Sequence, residues 1–196
     1  MTAASMSSFI PTILTELGWK AARAQVMSIP IWATGIFFQV FSCWVSGRIG
    51  MRFPFVLLGV SMEIAGWAIQ VVYVPSAGVR YFSLFLLSGG TFLQMAMLSS
   101  WMTNNLRGRA SNAVGTAIIL GMGNTANFVA TNVFFKSEAP RYPTAFKTGL
   151  GISCMGFTVC LVYVGILWLH NTRLEKKRKE KGDEAIDNQT EYRYVY

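Results

Sequence analysis

The chain has 196 residues, of which 53% are hydrophobic and 13% charged, against roughly 25% charged in an ordinary soluble domain. Of its 26 charges, 13 fall in the last 26 residues, so the first 170 carry only 13. So few charges cannot cover a soluble surface, which excludes a water-soluble enzyme and leaves a body solvated by lipid. The net charge of +8 divides into +7 on the first 170 residues and +1 on the tail. The basic residues of the body lie in short gaps between apolar runs, where they act as membrane topology signals rather than a nucleic-acid surface.

In chain order, residues 1–15 are uncharged but too short to span a bilayer, and Pro11 interrupts them. No basic residue precedes the apolar part, so a signal peptide is not expected. Residues 1–18 are read as the end of a truncated span. Long stretches with few or no charges follow, each above the roughly 20 residues a helix needs to cross the hydrocarbon core. They predict five full spans over about 24–47, 53–74, 81–103, 110–135 and 148–170, making residues 19–170 the membrane bundle and residues 171–196 a polar tail. Backbone groups in lipid must be satisfied internally, and runs such as Ile118-Ile119-Leu120 do not alternate as barrel strands do. The predicted fold is all-α, a polytopic helix bundle.

Lys20, Arg23, Arg80, Lys136, Arg141 and Lys147 fall on one side. Arg48, Arg52, Arg107, Arg109 and six basic tail residues between Arg173 and Lys181 fall on the other, which is therefore expected to be cytoplasmic. Asn188-Gln189-Thr190 matches a glycosylation acceptor, and a glycan there would overturn this orientation. Residues Leu174 to Lys181 are expected to extend the last helix or to anchor it at the lipid surface.

Ala113, Ala117, Gly121 and Thr125 recur every four residues and form a small stripe on the fourth span. Such stripes let helix backbones approach in lipid, so a closely packed neighbour is expected. Gly89-Gly90, Pro30 and the run Gly149, Gly151 and Gly156 suggest close contacts or kinks. His170 is the sole histidine and assembles no metal site, and Cys43, Cys154 and Cys160 match no zinc or redox spacing. No phosphate loop or nucleophile elbow is present. Neither a cofactor nor enzyme activity is expected.

Neutral polar residues remain at membrane depth. Asn124, Asn127 and Thr131 share one face of their helix, about 60° around from the small stripe. Thr91 with Gln94, and Thr34 with Gln39, lie near the middles of two other spans. A solute pathway needs such groups to replace water. The structural reading is interhelical hydrogen bonding, worth about 0.6 kcal/mol per contact. Glu63 is the one acid inside a span and a candidate proton-coupling group, or else a neutral group bonded to a neighbouring helix.

Several segments carry a family likeness. Phe9-Ile10-Pro11-Thr12-Ile13, Leu17-Gly18, Ala24 and Pro30 come first, then Ser46-Gly47-Arg48 with Arg52 and Pro54. Trp101, Asn104-Asn105, Gly108, Gly123-Asn124, Phe135, Ala139-Pro140 and Tyr142 follow, and the chain ends on Asp187-Asn188 and Tyr192-Arg193-Tyr194. In this order the chain resembles the C-terminal half of a major facilitator superfamily transporter, more narrowly the fungal anion:cation symporters of the allantoate and nicotinate permease group. Gly47 stands where the family loop motif usually has an acid, and Ser111-Asn112 replace a common basic pair, though Arg48, Arg52, Arg107 and Arg109 keep the loops basic.

The resemblance implies twelve helices in two bundles, of which this chain would supply the end of the seventh and the eighth to twelfth. It implies proton symport of a small organic anion, such as a vitamin acid or ureide, by alternating access at the plasma membrane. It supports Gln39, Gln94, Asn124 and Asn127 as pathway residues, with Thr131 a candidate by its shared face, and demotes Glu63, whose helix is peripheral in that architecture. The chain alone would be inactive, needing an N-terminal half or a second copy. The competing expectation is a non-transporting membrane scaffold or regulatory partner derived from a transporter.

Overall fold

The computed structural model describes residues 10, 11, 13–15, 19–72, 74–106, 108–132 and 142–181. The readings placed on residues 1–9 and 182–196, with Asn188, and on Arg107, Lys136 and Arg141 lie outside the described residues. All regular structure among the described residues is helical. Five long helices follow one another: α1 Ala21–Ile49, α2 Phe53–Val72, α3 Ala77–Asn105, α4 Arg109–Asn132 and α5 Pro143–Lys181. Four of them, α1, α2, α3 and α5, contain a stretch long and apolar enough to cross a membrane. α4 has 24 residues, about 36 Å of helix and thus enough length, but carries Ser111, Asn112, Thr116, Asn124, Thr125 and Asn127 along it.

Two glycines set the tight reversals. Gly50 has φ 75° and donates its N–H to Ser46 O at 2.9 Å, closing α1 so that α2 begins at Phe53. Gly108, with φ 81°, precedes α4. Positive φ strains any residue with a Cβ, which is why glycine occupies both places.

α3 is the central helix. It packs against α1 and α2, α2 packs in turn on α5, and the main neighbour of α4 is α3. The buried positions of α2 are Val56, Gly59, Val60, Glu63, Gly66, Trp67 and Gln70, one stripe at helical spacing. Its glycines admit the neighbouring backbone. A Cβ on Gly90 would lie 2.5 Å from Gly59 O, and one on Gly66 would lie 3.1 Å from Ser83 O. Close approach at Gly90 is one of the two readings that the glycine pair left open. On the other side of α3, Ser88 Oγ donates to Ile31 O at 2.9 Å and Tyr81 Oη donates to Met27 O at 3.0 Å, tying it to α1.

Apolar residues gather in two layers. Ile31, Trp67, Leu84, Leu87 and Phe146 belong to one cluster, and Val56, Val60, Leu93, Met97, Trp101 and Leu167 form the other. On α2, α3 and α5 alike, a buried polar residue falls between the two: Glu63, Thr91 and Ser153. The outward faces of α1 and α5 are apolar and exposed, with Phe37 63%, Val40 64%, Trp44 56%, Val162 57% and Trp168 60% accessible. An apolar surface of this kind suits lipid rather than water.

The α2–α5 contact turns on Gly149, where a Cβ would lie 2.8 Å from the Trp67 ring. Gly149→Ala is therefore expected to weaken the bundle by about 1–2 kcal/mol, as overpacking does. Adding Trp67→Leu should recover part of that loss, a non-additivity readable by unfolding in detergent.

Candidate functional site

Glu63 is 2% exposed, on the face of α2 that meets α3. Three groups from two other helices donate to its carboxyl. Thr91 Oγ1 lies 2.6 Å and Gln94 Nε2 2.5 Å from Oε1, and Ser153 Oγ lies 3.4 Å from Oε2. Thr91 and Gln94 sit i, i+3 on α3, which brings both to the α2 side. Gly59 and Gly90 let the two backbones close enough for these short side chains to reach. The carboxyl thus joins α2, α3 and α5 at one level. Thr91 and Ser153 are 4% and 5% exposed, while Gln94 is half-buried, so Gln94 is the member of the cluster that can be reached from outside it.

A second polar group lies further along the same two helices. Gln70 Nε2 donates to Ser83 Oγ at 2.8 Å and to Arg80 O at 3.2 Å, and Arg80 Nε donates to Gln70 Oε1 at 3.5 Å. Arg80 was expected in a loop. It lies instead in the first turn of α3, 5% exposed, because α3 begins at Ala77 and Gln70 supplies a buried acceptor. At the other end, Arg52 Nη1 donates to Ser100 O at 3.3 Å, and Arg48 stacks over Trp44 with its guanidinium carbon 4.3 Å from the ring centroid. Arg109 is exposed at the start of α4.

The pathway candidates separate. Gln94 joins Glu63, whereas Gln39 lies half-buried on α1. Thr34 donates to Pro30 O of its own helix at 2.8 Å. Asn124 is exposed on α4; Asn127 and Thr131 lie on the same helix, with side chains outside the described residues. Among the described residues, the small stripe meets no close neighbour. Ala113, Ala117, Gly121 and Thr125 are all exposed, and a Cβ on Gly121 would meet nothing within 4 Å among the described residues. The physical reason is placement: α4 meets the bundle through α3, where Leu106 covers Gly115, and its stripe faces outward.

Glu63, which the resemblance demotes as peripheral in a two-bundle protein, bonds within this bundle to neighbouring helices, as the second reading of that residue has it. Ser153 was missed altogether. Its only sequence signal is a hydroxyl among the small residues Gly149, Gly151 and Gly156.

No family model and no solved structure match the chain, but curated proteins do. It is 30% identical to the high-affinity nicotinic acid transporter of Saccharomyces cerevisiae, over 100% of this chain and 38% of that protein. It is 27% identical to the MFS-type transporter cnsO of Penicillium expansum, over 89% of this chain and 34% of that protein. It is 26% identical to the major facilitator-type transporter hxnP of Emericella nidulans, over 98% and 39% respectively. The chain spans well under half the length of these relatives, consistent with a C-terminal half. Its homologues are fungal major facilitator transporters, and with its apolar helices it is an integral membrane protein.

Proposed function

We infer that this chain is the C-terminal bundle of a proton-coupled transporter for small organic anions. The observation that carries the reading is the carboxyl of Glu63, the one buried carboxyl among the described residues, hydrogen-bonded to Gln94, a candidate pathway residue. An ionisable group inside a membrane bundle is costly to keep and marks ion pathways. Similarity to a nicotinic acid transporter across the whole chain supports a monocarboxylate as solute. In this reading Gln39, Gln94, Asn124, Asn127 and Thr131 line the solute route, and Glu63 carries the proton.

Alternating access needs two bundles around one site. The exposed small stripe of α4, with Asn124 beside it, supports α4 as part of the surface that meets the second bundle, whether continuous with this chain or a separate copy. The tail then lies in the cytoplasm and the membrane is the plasma membrane.

The test joins this chain to the N-terminal bundle of the yeast nicotinic acid transporter in reconstituted vesicles. Nicotinate uptake should be accelerated by an acid-outside gradient in the joined protein and be absent with the 196-residue chain alone. If the joined protein folds but moves no nicotinate or other small organic anion, the transport reading falls and the scaffold reading takes its place.

A further inference from the structure

The structure assigns the outward face of α1 to one bound anionic phospholipid, its phosphate held by Arg48 and an acyl chain laid along Trp44, Phe41 and Phe37. The inference draws on neither the proton at Glu63 nor the transport reading. Phe37, Phe41, Trp44 and Arg48 follow i, i+4, i+7, i+11 spacing, which at 100° per residue keeps them within about 60° of arc. They form one continuous stripe. Its three rings are 63%, 50% and 56% exposed, and the first two are stacked, with planes 11° and centroids 6.0 Å apart. Gln39, two residues on from Phe37, lies on the other side of the helix, so the stripe faces away from that candidate for the solute route.

The stripe ends on a cation. Arg48 is exposed in the last turn of α1, its guanidinium carbon 4.3 Å from the Trp44 ring centroid. The ring holds the guanidinium in place, and the five N–H donors form a fork that matches phosphate oxygens two at a time. No acid on its own helix competes for it, because α1 carries none and Gly47 precedes the arginine. The acid with a described side chain at this end of the bundle is Glu175, on α5, whose main neighbour is α2.

Length selects the occupant. The helix rises about 16 Å from Phe37 to Arg48, close to the depth of one leaflet, half of a hydrocarbon core about 30 Å thick. Trp44 falls between the phenylalanines and the arginine, at the level where indole rings sit between tails and headgroups. A phospholipid has the same order of chain, glycerol and phosphate. Charge selects its headgroup. Arg52, Arg109 and Arg173 stand at the same end of the bundle as Arg48, which favours a net negative headgroup over a zwitterion. On the orientation proposed above, this is the leaflet that carries such lipid. A second copy of the chain suits the stripe less, because its first 170 residues carry +7.

The test is native mass spectrometry of the 196-residue chain released from nanodiscs of equal phosphatidylglycerol and phosphatidylcholine. The wild type should retain one phosphatidylglycerol in preference to phosphatidylcholine by about fivefold or more. Arg48→Gln should lose that preference, and Trp44→Leu should weaken it by freeing the guanidinium. Arg109→Gln removes another exposed cation at the same end and should leave the preference within about twofold. Equal losses in Arg48→Gln and Arg109→Gln would show diffuse attraction to a basic surface and overturn the site, as would a wild type without preference. Phe41→Ala should lower retention of phosphatidylglycerol, and excess inorganic phosphate should not displace it. Displacement by inorganic phosphate, with Phe41→Ala behaving as the wild type, would show a phosphate site that makes no use of the chain and overturn the lipid. The joined two-bundle protein supplies the last arm. Retention there supports the inference. Retention by the 196-residue chain but not by the joined protein gives the stripe to the second bundle and overturns it.

Discussion

Gly90→Ala is expected to be the most damaging single methyl that can be added to the bundle. Its Cβ would lie 2.5 Å from Gly59 O, 3.0 Å from Glu63 Cγ and 3.1 Å from Glu63 N. Two of those three are backbone atoms on a facing helix, so no side-chain rotation relieves them. The helices must separate, and separation also stretches the hydrogen bonds from Thr91 and Gln94 to Glu63. Overpacking in a tight core usually costs about 1–3 kcal/mol, and a loss at the upper end, about 3 kcal/mol, is expected in detergent unfolding followed by tryptophan fluorescence. Gly121→Ala is the control, since a Cβ there meets nothing within 4 Å among the described residues. It should leave the stability of the isolated chain unchanged within about 0.5 kcal/mol, as surface substitutions do. Equal losses in the two variants would show that the α2–α3 crossing is not what holds the bundle.

That contrast also shows what could be read from the residues alone. Helices were legible because lipid solvation leaves a coarse mark, long stretches without charge. Gly89-Gly90 was legible as a close approach or a kink, and the backbone of α2 facing Gly90 decides for the first. The stripe from Ala113 to Thr125 was legible as a pattern, but a pattern on one helix does not say which partner it meets, and here it points away from the described chain. Glu63 was legible as unusual, yet its partners were not. Which residue of α5 reaches it depends on the angle and register of three helices, and Ser153 differs little in sequence from the serines and threonines that bond their own helix, such as Thr148 to Thr144 O and Thr158 to Cys154 O. Arg80 was misplaced because charge usually marks a loop. The acceptor that lets it enter the bundle, Gln70, lies on another helix.

The second large effect is expected at Glu63. Glu63→Gln keeps the size of the side chain and its ability to hydrogen-bond Thr91, Gln94 and Ser153. Polar contacts in membrane bundles average about 0.6 kcal/mol each, so the loss of stability should stay within about 1–2 kcal/mol and the protein should fold. In the proposed reading, what the variant removes is the site of a proton. A transporter that must bind a proton together with an anion to reorient, and that can no longer gain or lose that proton, can still exchange solute for solute. It cannot use a pH gradient to concentrate it.

The direct measurement is therefore nicotinate transport by the joined two-bundle protein in vesicles, read two ways, as accumulation under an acid-outside gradient and as exchange at equal pH. Glu63→Gln is predicted to keep exchange within about twofold of the wild type and to lose accumulation by about tenfold or more, within the usual range of coupling between linked sites. Gradient-driven accumulation by Glu63→Gln at the wild-type level would contradict the account, because the proton would then be carried by some group other than the buried carboxyl that joins α2, α3 and α5.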